Sequence, residues 1–221
     1  MLDRTVDTLQ QAVADIHDGA SLMISGFGGA GMPMQLIDAV VERGVKNLTI
    51  ISNNAGSHGI GIAKLIRTGQ VSKVVCSFPR QAGSDDFDNA YRSGKLELEL
   101  VPQGTLAERI RAGGAGVGAF FTPTAVGTDL ANGKELRVIN GVEQVLEYAL
   151  TADFALIKAN FADRWGNLTY RGTARNFAPI MASAARCTIV QASHIVPLGD
   201  IAPEDVVTPG IFVTRVVAIK G

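Results

Sequence analysis

Residues 21–38 read SLMISGFGGAGMPMQLID, and this stretch decides the fold. Its apolar start, residues 21–25, reads as a short strand. Gly26, Gly28, Gly29 and Gly31 follow as a turn, and a helix begins at or near Pro33. Proline suits a first helical turn, where its missing N–H would have had no partner. Glycines lack Cβ, so such a turn brings bare backbone N–H groups up to a bound group, and a helix N-terminus favours negative charge. The stretch is read as a cradle for an anion or for a carbonyl gaining negative charge.

Gly26, Gly28 and Gly31 also fit the G-x-G-x-x-G dinucleotide fingerprint. That fingerprint needs an acidic residue at the end of the next strand to hold the ribose hydroxyls. The next strand, residues 47–52, instead runs into Asn53, Asn54 and Gly56. Neutral amides are poor ribose clamps and good partners for a carboxylate or an oxyanion, which favours the anion cradle.

Outward from this stretch, strands and helices alternate at short intervals. Val6, Leu9, Val13 and Ile16 predict an N-terminal helix closed near Gly19. Leu36, Ile37, Val40 and Val41 give the next helix its core face, ended by Gly44. LTIIS, KVVCSF and LELELVP read as strands, with helices around residues 62–66, 85–92 and 105–112. Such alternation predicts an α/β fold, a mainly parallel sheet with flanking helices, whose ligands bind beyond the carboxyl ends of the strands. The loops at those ends carry residues 26–31, Asn53 and Asn54, residues 78–81, and Gln103 with Gly104.

The second half reads as mixed, with added antiparallel hairpins. Asn140-Gly141 between alternating runs is a strong hairpin signal, and Trp165-Gly166-Asn167 is a second turn of that kind. A helix over residues 174–185, the strand CTIVQA and a final strand IFVTRVVAI follow. No internal repeat is evident, and residues 1–221 read as a single domain.

A chain of 221 residues with 47% hydrophobic residues can bury a substantial core. A net charge of −1 gives no electrostatic case for nucleic acid or an anionic membrane. The start, MLDRTVDTLQQAVADI, does not read as a secretory peptide, and no apolar run is of membrane-span length. Cys76 and Cys187, each in a strand-like run, are read as buried free thiols of a cytoplasmic protein.

The sequence is also informative by what it lacks. His17, His58 and His194 lie in unrelated contexts, no G-x-S-x-G elbow is present, and no cluster has metal-ligand spacing. Glu42, Glu97, Glu99, Glu108 and Glu204 look placed for structure, since none follows a strand into a glycine turn. The chain therefore reads as half a site, with N–H donors and amides for a charged acyl group and the reacting group supplied from elsewhere. A non-catalytic sugar-phosphate-binding module is the alternative. A sugar-phosphate isomerase would need its own acid or base at this rim.

GFGGAGMP, SNNAG, CSFPRQ, VPQGTLAERIRAGGAGVGAFFTPT, DFALIKANFADRWGNLTYRGTARNF and TPGIFVTRV together resemble the alpha subunit of the class I 3-oxoacid CoA-transferases. CSFPRQ and DRWGNLTYR are most similar to the branch that uses 3-oxoadipate rather than acetoacetate. The resemblance implies a CoA-transferase fold and a beta-subunit partner in a heterodimer or heterotetramer. It implies ping-pong transfer from succinyl-CoA, with no nucleophilic glutamate in this chain, that residue being carried by the beta subunit. CoA thioester would be a substrate, with no tightly bound cofactor and no metal. Asn53, Asn54 and Gln103 would hold the acid's carboxylate and the anhydride oxygens. Gly26, Phe27, Gly28, Gly29 and Gly31 would line the same cleft, and Met34 stands where relatives carry glutamate or a small polar residue. A dicarboxylate acceptor needs a further cation, for which Arg80 is the candidate, unless it forms a surface pair with Asp85 or Asp86. Phe120, Phe121 and Phe177 are expected at the partner interface.

Overall fold

The computed structural model describes residues 2–219. The first half runs β1 (Thr5–Val6), α1 (Leu9–Ala12), β2 (Ser21–Ile24), α2 (Met34–Arg43), β3 (Leu48–Ile51), α3 (Ile62–Arg67), β4 (Val71–Cys76), α4 (Asp85–Arg92), β5 (Glu97–Leu100) and α5 (Gln103–Gly114). The second half runs β6 (Ala119–Thr122), β7 (Leu136–Ile139), β8 (Val142–Tyr148), β9 (Ala152–Asp163), α6 (Ala178–Ala184), β10 (Ala185–Val196) and β11 (Arg215–Ala218).

Eight strands form one sheet in the order β1-β11-β10-β9-β2-β3-β4-β5, and every neighbouring pair is parallel. Alternate residues of the central strands face two separate cores. Leu22 and Ile24 pack with Leu36, Ile37, Ile62, Leu65 and Phe87 of α2, α3 and α4. Met23, Ala155 and Ile157 pack on the other face with Leu106, Ile110 and Met181 of α5 and α6. Strands covered on both faces read as continuous apolar runs, which is why the sheet is parallel where helices flank it.

The chain leaves β2 for β3 on one side and leaves β9 for β10 on the other. β2 and β9, which are neighbours, therefore mark the point where the strand order reverses. A crevice opens beyond the carboxyl ends of two strands that diverge in this way.

Several elements follow their local signals. Gly44 closes α2 in the left-handed conformation, with φ 73°. Asp85, Asp86 and Asp88 occupy the first turn of α4 and Arg92 its last, which complements the helix dipole. Asn140 (φ 50°) and Gly141 (φ 77°) make the two-residue turn joining β7 to β8. With β6 these strands form a separate antiparallel sheet, β6-β8-β7.

The second half is mixed as expected: its antiparallel strands form the β6-β8-β7 sheet, while β9, β10 and β11 join the main sheet in parallel. Other expectations are corrected. The N-terminal helix spans only Leu9–Ala12, because Thr8 and Gln11 form a capping box there and Val6 pairs with Val217 in the sheet. The helix expected over 174–185 begins at Ala178, since Asn176 at φ 12°, ψ −114° is not helical. The turn at 165–167 is present, but the Asp163 carboxylate builds it by accepting the N–H groups of Trp165 and Asn167. The residues after it form isolated bridges rather than a strand. Phe177 is buried against α6 and is core, whereas Phe120 and Phe121 are half-buried in β6.

Cys76 is buried, and desolvation pushes its thiol up to about 12; Cys187 is half-buried and raised for the same reason. Among the described residues no helix is long and apolar enough to cross a membrane.

Candidate active site

The glycine turn is a small hairpin. Phe27 and Ala30 exchange both backbone hydrogen bonds, at 3.0 and 3.1 Å, with Gly28 and Gly29 at the tip. The Ser25 hydroxyl donates to the Gly31 carbonyl at 2.8 Å. The Gly26 N–H donates to Asn176 Oδ1 at 3.1 Å, and Asn176 Nδ2 donates to the Ala30 carbonyl at 3.0 Å. Gly31 sits at φ +77°, and a Cβ there would lie 2.4 Å from the Ala174 carbonyl oxygen.

This geometry revises the donors read from the sequence. Gly26 holds the hairpin rather than offering a free N–H, and Phe27, half-exposed, spends its own on Ala30. At the N-terminus of α2 two N–H groups are already taken. Its Met34 N–H donates to the Met32 carbonyl, and its Leu36 N–H donates to Gln191 Oε1 at 3.1 Å. The tip, Gly28 and Gly29, is what remains to face a bound group.

A second hairpin repeats the first after β3. Ser57 and Ile60 bridge around His58 (φ 53°) and Gly59 (φ 66°). GFGGAGM at 26–32 and GSHGIGI at 56–62 thus share a G-x-x-G-x-G pattern in adjacent loops. The short spacing of this repeat escaped the sequence reading. Between the two tips lies a cleft of about 380 Å³, lined by Gly28, Gly29, Met34, Asn54, His58 and Gln81, among others. Met34 therefore offers a thioether to the cleft, and no carboxylate lines it.

Asn53 and Asn54, both buried, follow β3 directly. Asn54 Oδ1 accepts the Gly56 N–H at 2.9 Å, which fixes the amide and leaves Nδ2 as the free donor. Asn53 Oδ1 accepts from Ser77 Oγ at 3.0 Å and from Gln103 Nε2 at 2.7 Å. The Asn53 carbonyl also takes the Ser77 and Phe78 N–H groups. Gln103, the first residue of α5, is thus joined to Asn53, and with Asn54 they form a run of amides at the carboxyl ends of β3 and β5.

Arg80 stands apart from this run. Its Nε donates to Asp88 Oδ1 at 2.5 Å, one turn beyond the Asp85 and Asp86 considered from sequence. Its neighbours Gln81 and Ala82 line the cleft. Four of the other carboxylates singled out in the sequence are engaged elsewhere, and Glu204 lies in a short turn of 3-10 helix away from this cleft. Glu97 and Glu99 pair with Lys73, Glu99 also with Arg109, Glu108 with Arg111, and Glu42 accepts from Gln10. Burial opposes ionisation of Glu99, but the hydrogen bonds from Arg109 and Lys73 outweigh it and hold the carboxyl below its usual range. Among the described residues no group of three His, Cys, Asp or Glu side chains could hold a metal ion.

Asn176 was quoted within a motif but given no role by sequence reasoning, because its partners lie about 150 residues away in the chain. Removing its amide leaves the buried Gly26 N–H unpaired, a cost of about 1–3 kcal/mol. Asn176→Ala is expected to lower any turnover that depends on this cleft about tenfold or more. The variant's melting temperature should fall modestly. Unchanged kinetics would mean that Ser25 alone holds the hairpin.

Comparison with known proteins shows the family. The family model described as Coenzyme A transferase matches residues 6–218. The chain is 59% identical over 221 residues to a 3-oxoadipate CoA-transferase subunit of Pseudomonas putida, covering 100% of this chain and 96% of the relative. It is 46% identical over 216 residues to a probable succinyl-CoA:3-ketoacid coenzyme A transferase subunit of Bacillus subtilis, covering 98% and 90%. Glutaconate coenzyme A-transferase from Acidaminococcus fermentans superposes with a TM-score of 0.84 at 20% identity, over 97% of this chain and 75% of that one, and shares the fold. With a model match across nearly its whole length and relatives well above the level that defines a family, the chain belongs to the coenzyme A transferases.

Proposed function

We propose that the chain, working as a single folded unit, is the alpha-type half of a cytoplasmic CoA-transferase that moves CoA from succinyl-CoA to 3-oxoadipate, and that a beta subunit supplies the nucleophilic glutamate. The observation that carries this reading is a cleft lined by glycine backbone and the amides of Asn54 and Gln81, with the bonded pair Asn53 and Gln103 at the adjoining strand ends, in which no lining residue is a carboxylate. The names of the relatives, each a transferase subunit rather than a whole enzyme, support it.

The partner's glutamate attacks the thioester carbonyl of succinyl-CoA, giving an acyl anhydride and CoA thiolate. The thiolate attacks the glutamyl carbonyl and releases succinate, leaving a glutamyl thioester. The carboxylate of the 3-oxoacid attacks that thioester and expels the thiolate. The thiolate then attacks the substrate side of the second anhydride, giving the new CoA ester and free glutamate. Each step is an acyl exchange at one carbonyl, which divides a difficult transfer into easier ones. This chain's part is electrostatic. Asn53, Asn54 and Gln103 stabilise the tetrahedral oxyanions and the attacking carboxylate, and the tip of the glycine hairpin closes the cleft beside them. CoA thioester is the substrate, and no bound cofactor enters any step.

The test is CoA transfer from succinyl-CoA by the chain alone, by its beta partner alone and by the two together. Activity confined to the mixture is expected, and full turnover by the isolated chain would reject the half-site.

Acceptor choice is a separate matter, because the Bacillus subtilis relative is named for 3-ketoacids in general. Arg80 is the cation that the sequence offers for a second carboxylate, and to serve it would have to exchange Asp88 for the substrate. Its side chain is about half exposed, so the loss in Arg80→Ala is limited to about tenfold with 3-oxoadipate. Acetoacetate use should change less, and equal losses with both acids would remove Arg80 from acceptor recognition.

A further inference from the structure

A second cavity, of about 330 Å³, shares Gly29 of the hairpin tip with the amide cleft. Its walls come from 29–31 after β2, from Lys158 and Asn160 of β9, from Ser193 of β10 and from Arg171. It therefore occupies the crevice at the β2 and β9 strand reversal, where ligands of open parallel sheets bind.

Two cations line this cavity and no carboxylate does. The side chains of Lys158, Asn160, Arg171 and Ser193 have no hydrogen-bond or ion-pair partner among the described residues. Gln191, which faces Lys158 across the ladder, is by contrast fully engaged with Gln35 and the backbone of α2. Lys158 is on the face of β9 that carries Phe154 and Leu156 in the core, and it emerges where that core ends. A half-buried lysine and an arginine with no anionic neighbour form a site for an anion. Arginine supplies a planar fork and lysine a point charge on a flexible stem.

We propose that Lys158 and Arg171 bind the distal carboxylate of a dicarboxylic acyl acceptor whose reacting carboxylate lies in the amide cleft. This rests on the CoA-transferase reading above. Gly29 lines both cavities, so a diacid lying across the hairpin tip would have one carboxylate in each. The phosphates of CoA lie beyond the whole pantetheine arm from the reacting sulfur and do not fit so close a cavity. Arg80, tied to Asp88, lines neither cavity.

The test uses the assembled enzyme with succinyl-CoA saturating. Lys158→Met is expected to raise KM for 3-oxoadipate roughly tenfold or more, a charge-assisted bond being about this strong, and Arg171→Gln, whose guanidinium is exposed and screened by solvent, to raise it by less. kcat/KM for acetoacetate should stay near the wild-type value, and Lys158→Arg should restore most of the loss. Equal losses with both acids, or a loss confined to Arg80→Ala, would overturn the assignment. In parallel, calorimetry on the full chain should show adipate binding that hexanoate does not match and that Lys158→Met abolishes. If the wild-type mixture transfers no CoA yet adipate binding depends on Lys158, the transferase reading fails and the anion site stands. If wild-type protein binds adipate and hexanoate alike, the site is rejected whatever the activity.

Discussion

Asn53→Ala is expected to lower kcat of the assembled enzyme about 100- to 1,000-fold, the loss seen when one preorganised oxyanion donor is removed. The geometry shows how this amide is held. Its Oδ1 is taken by Ser77 and Gln103, and its main-chain carbonyl by the N–H groups of Ser77 and Phe78. Nδ2 is thus the group left to donate, and it is held by bonds formed before substrate arrives. A donor fixed in this way needs no reorganisation when charge develops on the carbonyl oxygen. KM for succinyl-CoA should move little, because an interaction gained in the transition state appears in kcat and kcat/KM together. A raised KM with unchanged kcat would instead make Asn53 a ground-state binder. Gln103→Ala should cost less, and the double variant should lose little more than Asn53→Ala alone, since residues bonded at 2.7 Å act as one unit.

What could be read from the sequence follows from the range of the forces involved. The limits of α4 match the residues 85–92 inferred from sequence, because three aspartates at one end and an arginine at the other act within a turn of the helix. The hairpin at Asn140 and Gly141 was legible because two residues with positive φ determine it. The amides could be placed at one rim because alternating strands and helices imply a parallel sheet.

The glycine stretch reads as a strand, a turn and a helix start, and the strand and helix are present on either side of the turn. Gln191, on β10, takes the Leu36 N–H in the first turn of α2, and Asn176 ties the glycine turn into a hairpin. Neither partner is visible from a window around residues 21–38. The same limit hid Lys158. In the sequence it is one lysine in ALIKANFAD, and only the pairing of β2 with β9 brings it beside the glycine tip. Arg80 was matched with the acids nearest in sequence, whereas one helical turn of α4 presents Asp88 instead.

Arg109→Ala is expected to destabilise the chain by about 3–5 kcal/mol, the cost of breaking a buried ion network by deleting one partner. Arg109 lies on α5, and its side chain is 11% exposed. Its Nε donates to the Tyr148 carbonyl at 2.7 Å and one terminal nitrogen to Glu99 at 2.9 Å, with Glu147 at 3.8 Å. It therefore fastens the β6-β8-β7 sheet, through β8, to the edge strand β5 of the main sheet. Without it, Glu147, whose side chain is 3% exposed, keeps only Lys134 at 2.6 Å, and the Tyr148 carbonyl loses its donor. For a chain of this size each kcal/mol lowers the melting temperature by roughly 2–4 °C, so a fall of roughly 6–20 °C should appear in a thermal melt. The double variant Arg109→Met with Glu147→Met should recover much of the loss, because removing both buried charges together leaves neither uncompensated. Glu99 would still have Lys73, at 3.1 Å, and Lys134 is open enough to be hydrated. If the single variant melted like the wild type, apolar packing of Leu106 and Ile110 would be what positions α5, and with it Gln103 at the cleft. If the double variant were no better than the single, the bond to the Tyr148 carbonyl, rather than the charges, would be what joins the two sheets.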